Sequence, residues 1–80
     1  MKRIADLWQA YADGVLPKDA GVIQRRETRR AFYGGVGAIL ANITSNLTEG
    51  AEPQNEDLAA MDALQAELEA FVRDLAAGRA

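Results

Sequence analysis

In the stretch Arg29-Arg30-Ala31-Phe32-Tyr33-Gly34-Gly35-Val36-Gly37-Ala38-Ile39-Leu40-Ala41-Asn42-Ile43 the large apolar residues are spaced by three and four. Phe32, Val36, Ile39, Leu40 and Ile43, with Leu47 a turn further on, therefore share one face of a helix. Projected backwards at about 100° per residue, that face carries Thr28, Arg25 and Arg29. One helical surface is thus apolar in its C-terminal half and cationic in its N-terminal half, with Arg26, Arg30 and Tyr33 on a neighbouring face. The pattern predicts a helix from about residue 20 to about residue 45.

Two further helical segments flank it. Ile4, Leu7, Trp8 and Tyr11 fall at i, i+3, i+4 and i+7, a helical stripe with Asp6 and Asp13 lying off it. Gly14 is placed to end this segment in a left-handed C-terminal position, and Pro17 forbids helix continuation through the connector Val15-Leu16-Pro17-Lys18-Asp19. Asn42, Thr44, Ser45, Asn46, Thr48, Gly50 and Pro53 form a polar, turn-rich stretch whose start overlaps the last turn of the long helix. The third segment begins near Asn55, a good N-cap, with Glu56 and Asp57 where the helix dipole favours anions. Leu58, Met61, Leu64, Leu68, Phe71 and Leu75 follow at spacings of three and four, Val72 widens the seam, and Gly78 allows the helix to stop. The expected fold is all-α: a single domain spanning residues 1–80, in which the second and third helices form a long antiparallel hairpin with the short first helix packed on it.

Composition narrows the chemistry. The 80 residues total 8.6 kDa and are 49% apolar, yet 16 of the apolar residues are alanine, which leaves 23 larger side chains for a core. A core that small, with no cysteine to bridge it, gains stability from a partner subunit, so a homo-oligomer is expected. No run is long and apolar enough for a membrane span, and Met1-Lys2-Arg3 leads into an amphipathic pattern with Asp6 instead of a secretory signal. The sequons Asn42-Ile43-Thr44 and Asn46-Leu47-Thr48 are accordingly read as chance. With no histidine and no cysteine, the commonest general base, nucleophile and metal ligands are missing. The carboxylates lack the spacing of a cation-binding loop. No enzyme, no metal site and no cofactor is expected.

The net charge of −3 is divided unequally. Residues 1–40 carry seven cations against four carboxylates, and residues 41–80 carry two against eight. An acidic chain is poorly suited to duplex DNA, where affinity rests on neutralising many phosphates, but a dense basic cluster holds a small anion. Arg25, Arg26, Arg29 and Arg30 are such a cluster. Guanidinium groups match phosphate oxygens in bidentate fashion and stack on aromatic faces. Arg25 and Arg29 lie one turn apart, as do Arg26 and Arg30, near the positive end of a helix. Tyr33 is placed to stack a base or donate its hydroxyl. The alternative is that the arginines neutralise the protein's own acids, with Glu67, Glu69 and Asp74 as suppliers. Gly34, Gly35 and Gly37 make, with Ala38 and Ala41, a strip of small residues that admits another helix or a ligand, a kink being the competing reading. Trp8 and Tyr11 are either core or a stacking surface.

The run Glu27-Thr28-Arg29-Arg30-Ala31-Phe32-Tyr33-Gly34-Gly35, with Leu16-Pro17-Lys18-Asp19-Ala20 before it and Gly50-Ala51-Glu52-Pro53 after it, resembles a family of short accessory proteins encoded by tailed bacteriophages and prophages. The resemblance covers most of the chain, including the acidic C-terminal helix. The family pattern is similar to Arg-Arg-Ala-Phe-Tyr-Ala-Gly-Ala, from which Gly34 and Gly35 depart slightly. It implies a place in the cytoplasm of an infected bacterium and an anti-defence role. Such proteins act by binding a host defence protein or by sequestering a nucleotide second messenger in an oligomeric cage. In the second case Arg25, Arg26, Arg29 and Arg30 would hold phosphates, Tyr33 with Tyr11 or Trp8 would stack bases, and Gly34 and Gly35 would permit close approach. In the first, a charged helix would dock on the host protein.

Overall fold

A computed structural model describes residues 1–46 and 55–80. It contains three helices, α1 (Ile4–Val15), α2 (Val22–Asn46) and α3 (Asn55–Ala76), and no strand among the described residues. The backbone falls into two compact units, residues 1–44 and residues 45–80.

In the first unit, α1 starts at Arg3, whose extended backbone (φ −75°, ψ 160°) turns the chain into the helix. The Arg3 carbonyl accepts the N–H groups of Asp6 and Leu7 at 3.1 and 3.2 Å. Arginine has no acceptor with which to cap the first turn, so the side-chain contribution comes from Asp6. Its carboxylate accepts the Arg3 backbone N–H at 3.2 Å and the guanidinium at 3.4 Å. This is the returning half of a capping box, with an anion in the first turn where the dipole favours it.

The end of α1 differs from expectation. Gly14 stays helical, and Gly78 is the one positive-φ glycine among the described residues. The helix stops at Leu16, which is extended (φ −79°, ψ 137°) while its N–H still reaches the Ala12 carbonyl at 3.0 Å. The cause is Pro17, whose ring disfavours the α conformation in the residue before it. The Ala20 N–H closes a turn on the Pro17 carbonyl at 3.0 Å, and the Arg25 N–H begins α2 on the Gly21 carbonyl at 3.0 Å.

The buried line of α1 is also rotated from the expected stripe. Trp8 and Ala12 are 7% and 2% exposed and Ile4 is half-buried, whereas Leu7 and Tyr11 remain 47% and 43% exposed. Ile4, Trp8 and Ala12 are successive i, i+4 positions, and alanine's small volume hid the third of them from a count of bulky residues. Against this line α2 sets Phe32, whose ring centroid lies 5.6 Å from Trp8 and 5.3 Å from Tyr11. Trp8 and Tyr11 are themselves 6.2 Å apart. Thr28, Phe32, Tyr33, Val36 and Ile43 of α2 are half-buried, whereas Ile39 and Leu40, expected on the same apolar face, are exposed. The Thr28 hydroxyl turns back to donate to the Gln24 carbonyl at 2.7 Å.

The second unit is built on α3. Leu64 is half-buried, while Leu58, Met61, Leu68, Phe71, Val72 and Leu75 are exposed. Asp57, in the first turn, is buried. Gly78 ends the element as expected, at φ +76°. The Arg79 N–H reaches the Asp74 carbonyl at 2.7 Å and the Gly78 N–H reaches Leu75 at 3.1 Å, the pair of bonds that defines a Schellman closure. The cap expected of Asn55, the side chain of Glu56, and the turn expected around Leu47, Thr48, Gly50 and Pro53 lie outside the described residues and side chains.

Trp8 and Leu7 give opposite expectations although both lie on the predicted stripe. Trp8→Ala removes the most buried large side chain of the first unit and is expected to cost about 3–5 kcal/mol, a large part of a small domain's stability. Leu7→Ala is expected to cost less than about 1 kcal/mol. Urea unfolding followed by far-ultraviolet circular dichroism checks both, and equal losses would contradict the rotated stripe.

Candidate anion site on the second helix

The four arginines lie in the N-terminal half of α2, whose dipole makes a cation unfavourable, most of all for Arg25 and Arg26 nearest its start. One carboxylate, Glu27, is present in the whole of α2. It sits among the arginines and pairs with Arg30 at 3.2 Å and, more loosely, with Arg26 at 3.9 Å. All three side chains are more than half exposed, so each contact contributes at most about 1 kcal/mol.

Arg29 is held differently. Its guanidinium carbon lies 4.8 Å from the centroid of the Tyr33 ring, over its face. Arg29 and Tyr33 are one helical turn apart, which brings the two side chains together, and a cation over the half-buried Tyr33 ring contributes on the order of 1 kcal/mol. Tyr33 in turn meets Phe32 edge-on, with centroids 6.0 Å apart and planes at 71°. A continuous path therefore runs from Trp8 and Tyr11 through Phe32 and Tyr33 to Arg29. Among the described residues no carboxylate lies within 4 Å of a guanidinium nitrogen of Arg25 or Arg29.

Of the acids expected to neutralise the cluster, Asp74 and Glu69 have bonds within their own unit. Asp74 pairs with Arg79 at 2.8 Å, and Glu69 accepts from Gln65 at 3.3 Å. The neutraliser that sequence reading passed over was Glu27, although its i, i+3 spacing to Arg30 was a readable signal. The Arg29–Tyr33 stack is likewise an i, i+4 pair, so Tyr33 joins the Arg29 row and not the Arg26 and Arg30 face on which the helical projection sets it.

The other candidate residues divide between core and surface. Trp8 is buried against Phe32 and forms the core of the first unit, while Tyr11 keeps 43% of its surface exposed. The α2 backbone is helical through Gly34, Gly35 and Gly37. A Cβ added at any of these three meets nothing within 4 Å among the described residues, so none of those residues makes the close approach that the small strip allows. No group of three or more acidic side chains among the described residues converges as a metal site would require. No described helix is long and apolar enough to cross a membrane.

Because the space beside the glycines is open, Gly34→Ala and Gly35→Ala are each expected to stabilise α2 by up to about 1 kcal/mol. In a domain of this size that raises Tm by about 4–8 °C. Calorimetry on the single variants checks it, and a lowered Tm would reveal a partner seated against the strip.

Compared with protein-family models, with curated proteins and with solved structures, the chain matches none of them.

Proposed function

We propose that the chain is a non-catalytic, phage-type anti-defence protein that binds and sequesters a phosphate-bearing nucleotide second messenger as a homo-oligomer. The observation that carries this reading is the row Arg25, Arg29 and Tyr33. Two guanidiniums without a carboxylate within 4 Å among the described residues stand one turn apart, and one of them rests on an aromatic face. Phosphate oxygens suit the guanidinium forks, and a planar base suits a guanidinium or phenol face. Arg26 and Arg30 add positive field, Tyr11 offers a partly exposed second ring, and Gly34 leaves space beside Tyr33 for a ligand. The phage origin and the cytoplasm of an infected bacterium come from the resemblance in the run Glu27–Gly35.

The architecture suited to this role is an antiparallel hairpin of α2 and α3, self-associated through apolar surface. Its support is the long list of bulky side chains left exposed, Val22, Ile23, Leu40, Leu58, Met61, Leu68, Phe71, Val72 and Leu75 among them. Single exposed apolar residues are ordinary, but a whole helical stripe of them calls for a partner surface. The same exposure favours a second reading, in which charged, apolar-striped α3 docks on a host defence protein.

Thermal unfolding with a panel of cyclic di- and trinucleotides separates the two. A ligand present at about one hundred times its Kd stabilises the folded state by about 2.7 kcal/mol, a rise of more than about 10 °C here. Arg29→Ala is expected to abolish the rise, and no shift across the panel would overturn the nucleotide reading and leave docking on a protein. Light scattering is expected to give a multiple of 8.6 kDa; a plain monomer would refute the oligomeric part.

A further inference from the structure

Four guanidiniums within six residues, Arg25, Arg26, Arg29 and Arg30, share a helix with a single carboxylate, and the position of that carboxylate is selective. At about 100° per residue, Glu27 stands about 60° from Arg30 around the helix but about 160° from Arg25 and Arg29. It reaches Arg30 at 3.2 Å and Arg26 at 3.9 Å. The opposite row keeps its charge, with Arg29 turned onto Tyr33.

We propose that Glu27 divides the arginine cluster into a compensated row, Arg26 and Arg30, and a ligand-gripping row, Arg25 and Arg29, and thereby sets how much anionic charge the site accepts. The inference rests on the anion-binding reading of α2 given above and narrows it. The ligand class is one that presents a single phosphate group, ester or diester, to Arg25 and Arg29, with an aromatic base beside the Arg29–Tyr33 stack. A ligand with several adjacent phosphates would have to displace Glu27 from Arg30 to use the second row. Glu27 is thus a specificity-determining residue that need touch no ligand atom.

Three independent physical facts meet here. An i, i+3 carboxylate lowers the net charge of its row from two to one at contact range, and the opposite side of the helix is beyond its reach. The Tyr33 ring orients the Arg29 fork, reducing the freedom lost when an anion binds. The helix N-terminus adds a positive potential to both rows alike, so the difference between them comes from Glu27 and Tyr33 alone.

Titration calorimetry at low salt with inorganic phosphate, and with pyrophosphate for comparison, tests the division without assuming any nucleotide. Arg25→Ala and Arg29→Ala are each expected to weaken phosphate binding about tenfold or more, the loss of a charge-assisted contact. Arg26→Ala and Arg30→Ala are expected to weaken it by less than about threefold, since Glu27 already occupies them. Glu27→Gln, which frees the second row, is expected to tighten binding of pyrophosphate, whose two phosphates can then use both rows, by about three- to fivefold and that of phosphate by less. Circular dichroism on each variant secures that the helices are retained. Equal losses at all four arginines, an unchanged pyrophosphate affinity in Glu27→Gln, or no phosphate binding by the unaltered chain at millimolar concentration would each overturn the inference. Should phosphate and pyrophosphate follow the expected pattern while no cyclic nucleotide binds, the division stands and the nucleotide reading falls. Should a nucleotide bind with all four arginines contributing equally, the nucleotide reading stands and the division falls.

Discussion

Phe32 is the residue on which the first unit turns. Its ring receives Trp8 at 5.6 Å and Tyr11 at 5.3 Å from α1, and meets Tyr33 at 6.0 Å within α2. Ring pairs of this kind contribute about 0.5–1.5 kcal/mol each beyond their buried area. In a unit whose buried apolar side chains are Trp8 and Ala12, that is a large share of what holds α1 to α2. The same contact has a geometric consequence. By packing Phe32 inward, it leaves Tyr33, about 100° further around the helix, at the edge of the packed face with its ring available to Arg29. The core contact and the candidate anion site are therefore consecutive residues of one helix.

The electrostatics of α2 follow from arrangement more than from any single pair. Exposed ion pairs contribute little, so Glu27 does not make the arginine cluster stable. It makes the cluster asymmetric. A helix with four cations at its positive end is a conflict among local preferences, and such conflicts are characteristic of sites shaped by a requirement other than folding. On the structural side the conflict is softened by Glu27 for one row and by Tyr33 for Arg29. Arg25 is the residue for which neither device operates.

Much of this was legible in the sequence because helices announce themselves by period. The three-and-four spacing of Phe32, Val36, Ile39, Leu40 and Ile43 fixed α2 to within about two residues at each end, and Gly78 marked the stop after α3 by the one backbone region that glycine enters freely. The misread positions share a cause: two signals competed and the weaker was followed. Gly14 is a plausible stop, but Pro17 constrains Leu16 sterically, and a steric prohibition outweighs a preference. Leu7 has more apolar surface than Ala12, yet Ala12 is buried, because close packing against another helix selects small volume as readily as hydrophobicity. In the site, the arginines stood out by composition, whereas their partition depended on angular position around the helix, which a linear reading of Arg-Arg-Glu-Thr-Arg-Arg flattens.

A surface row of two guanidiniums sets its own limit on what one chain can achieve. Each charge-assisted contact to a phosphate is worth about 1.5–3 kcal/mol, and association costs at least about 4 kcal/mol in lost freedom before any contact counts. Arg25 and Arg29 of a single chain, even with an aromatic platform beside them, therefore reach only weak affinity, and weak affinity does not sequester a scarce signal. Stoichiometric capture requires that several such rows face one ligand, so that the second and third contacts form at high effective concentration. The proposed homo-oligomer is thus a requirement of the proposed function and no mere accompaniment to it. In such an oligomer the apolar side chains left exposed on α3 would provide surface for the association, while the arginine row of each copy, left without a carboxylate by the placement of Glu27, would provide the charge.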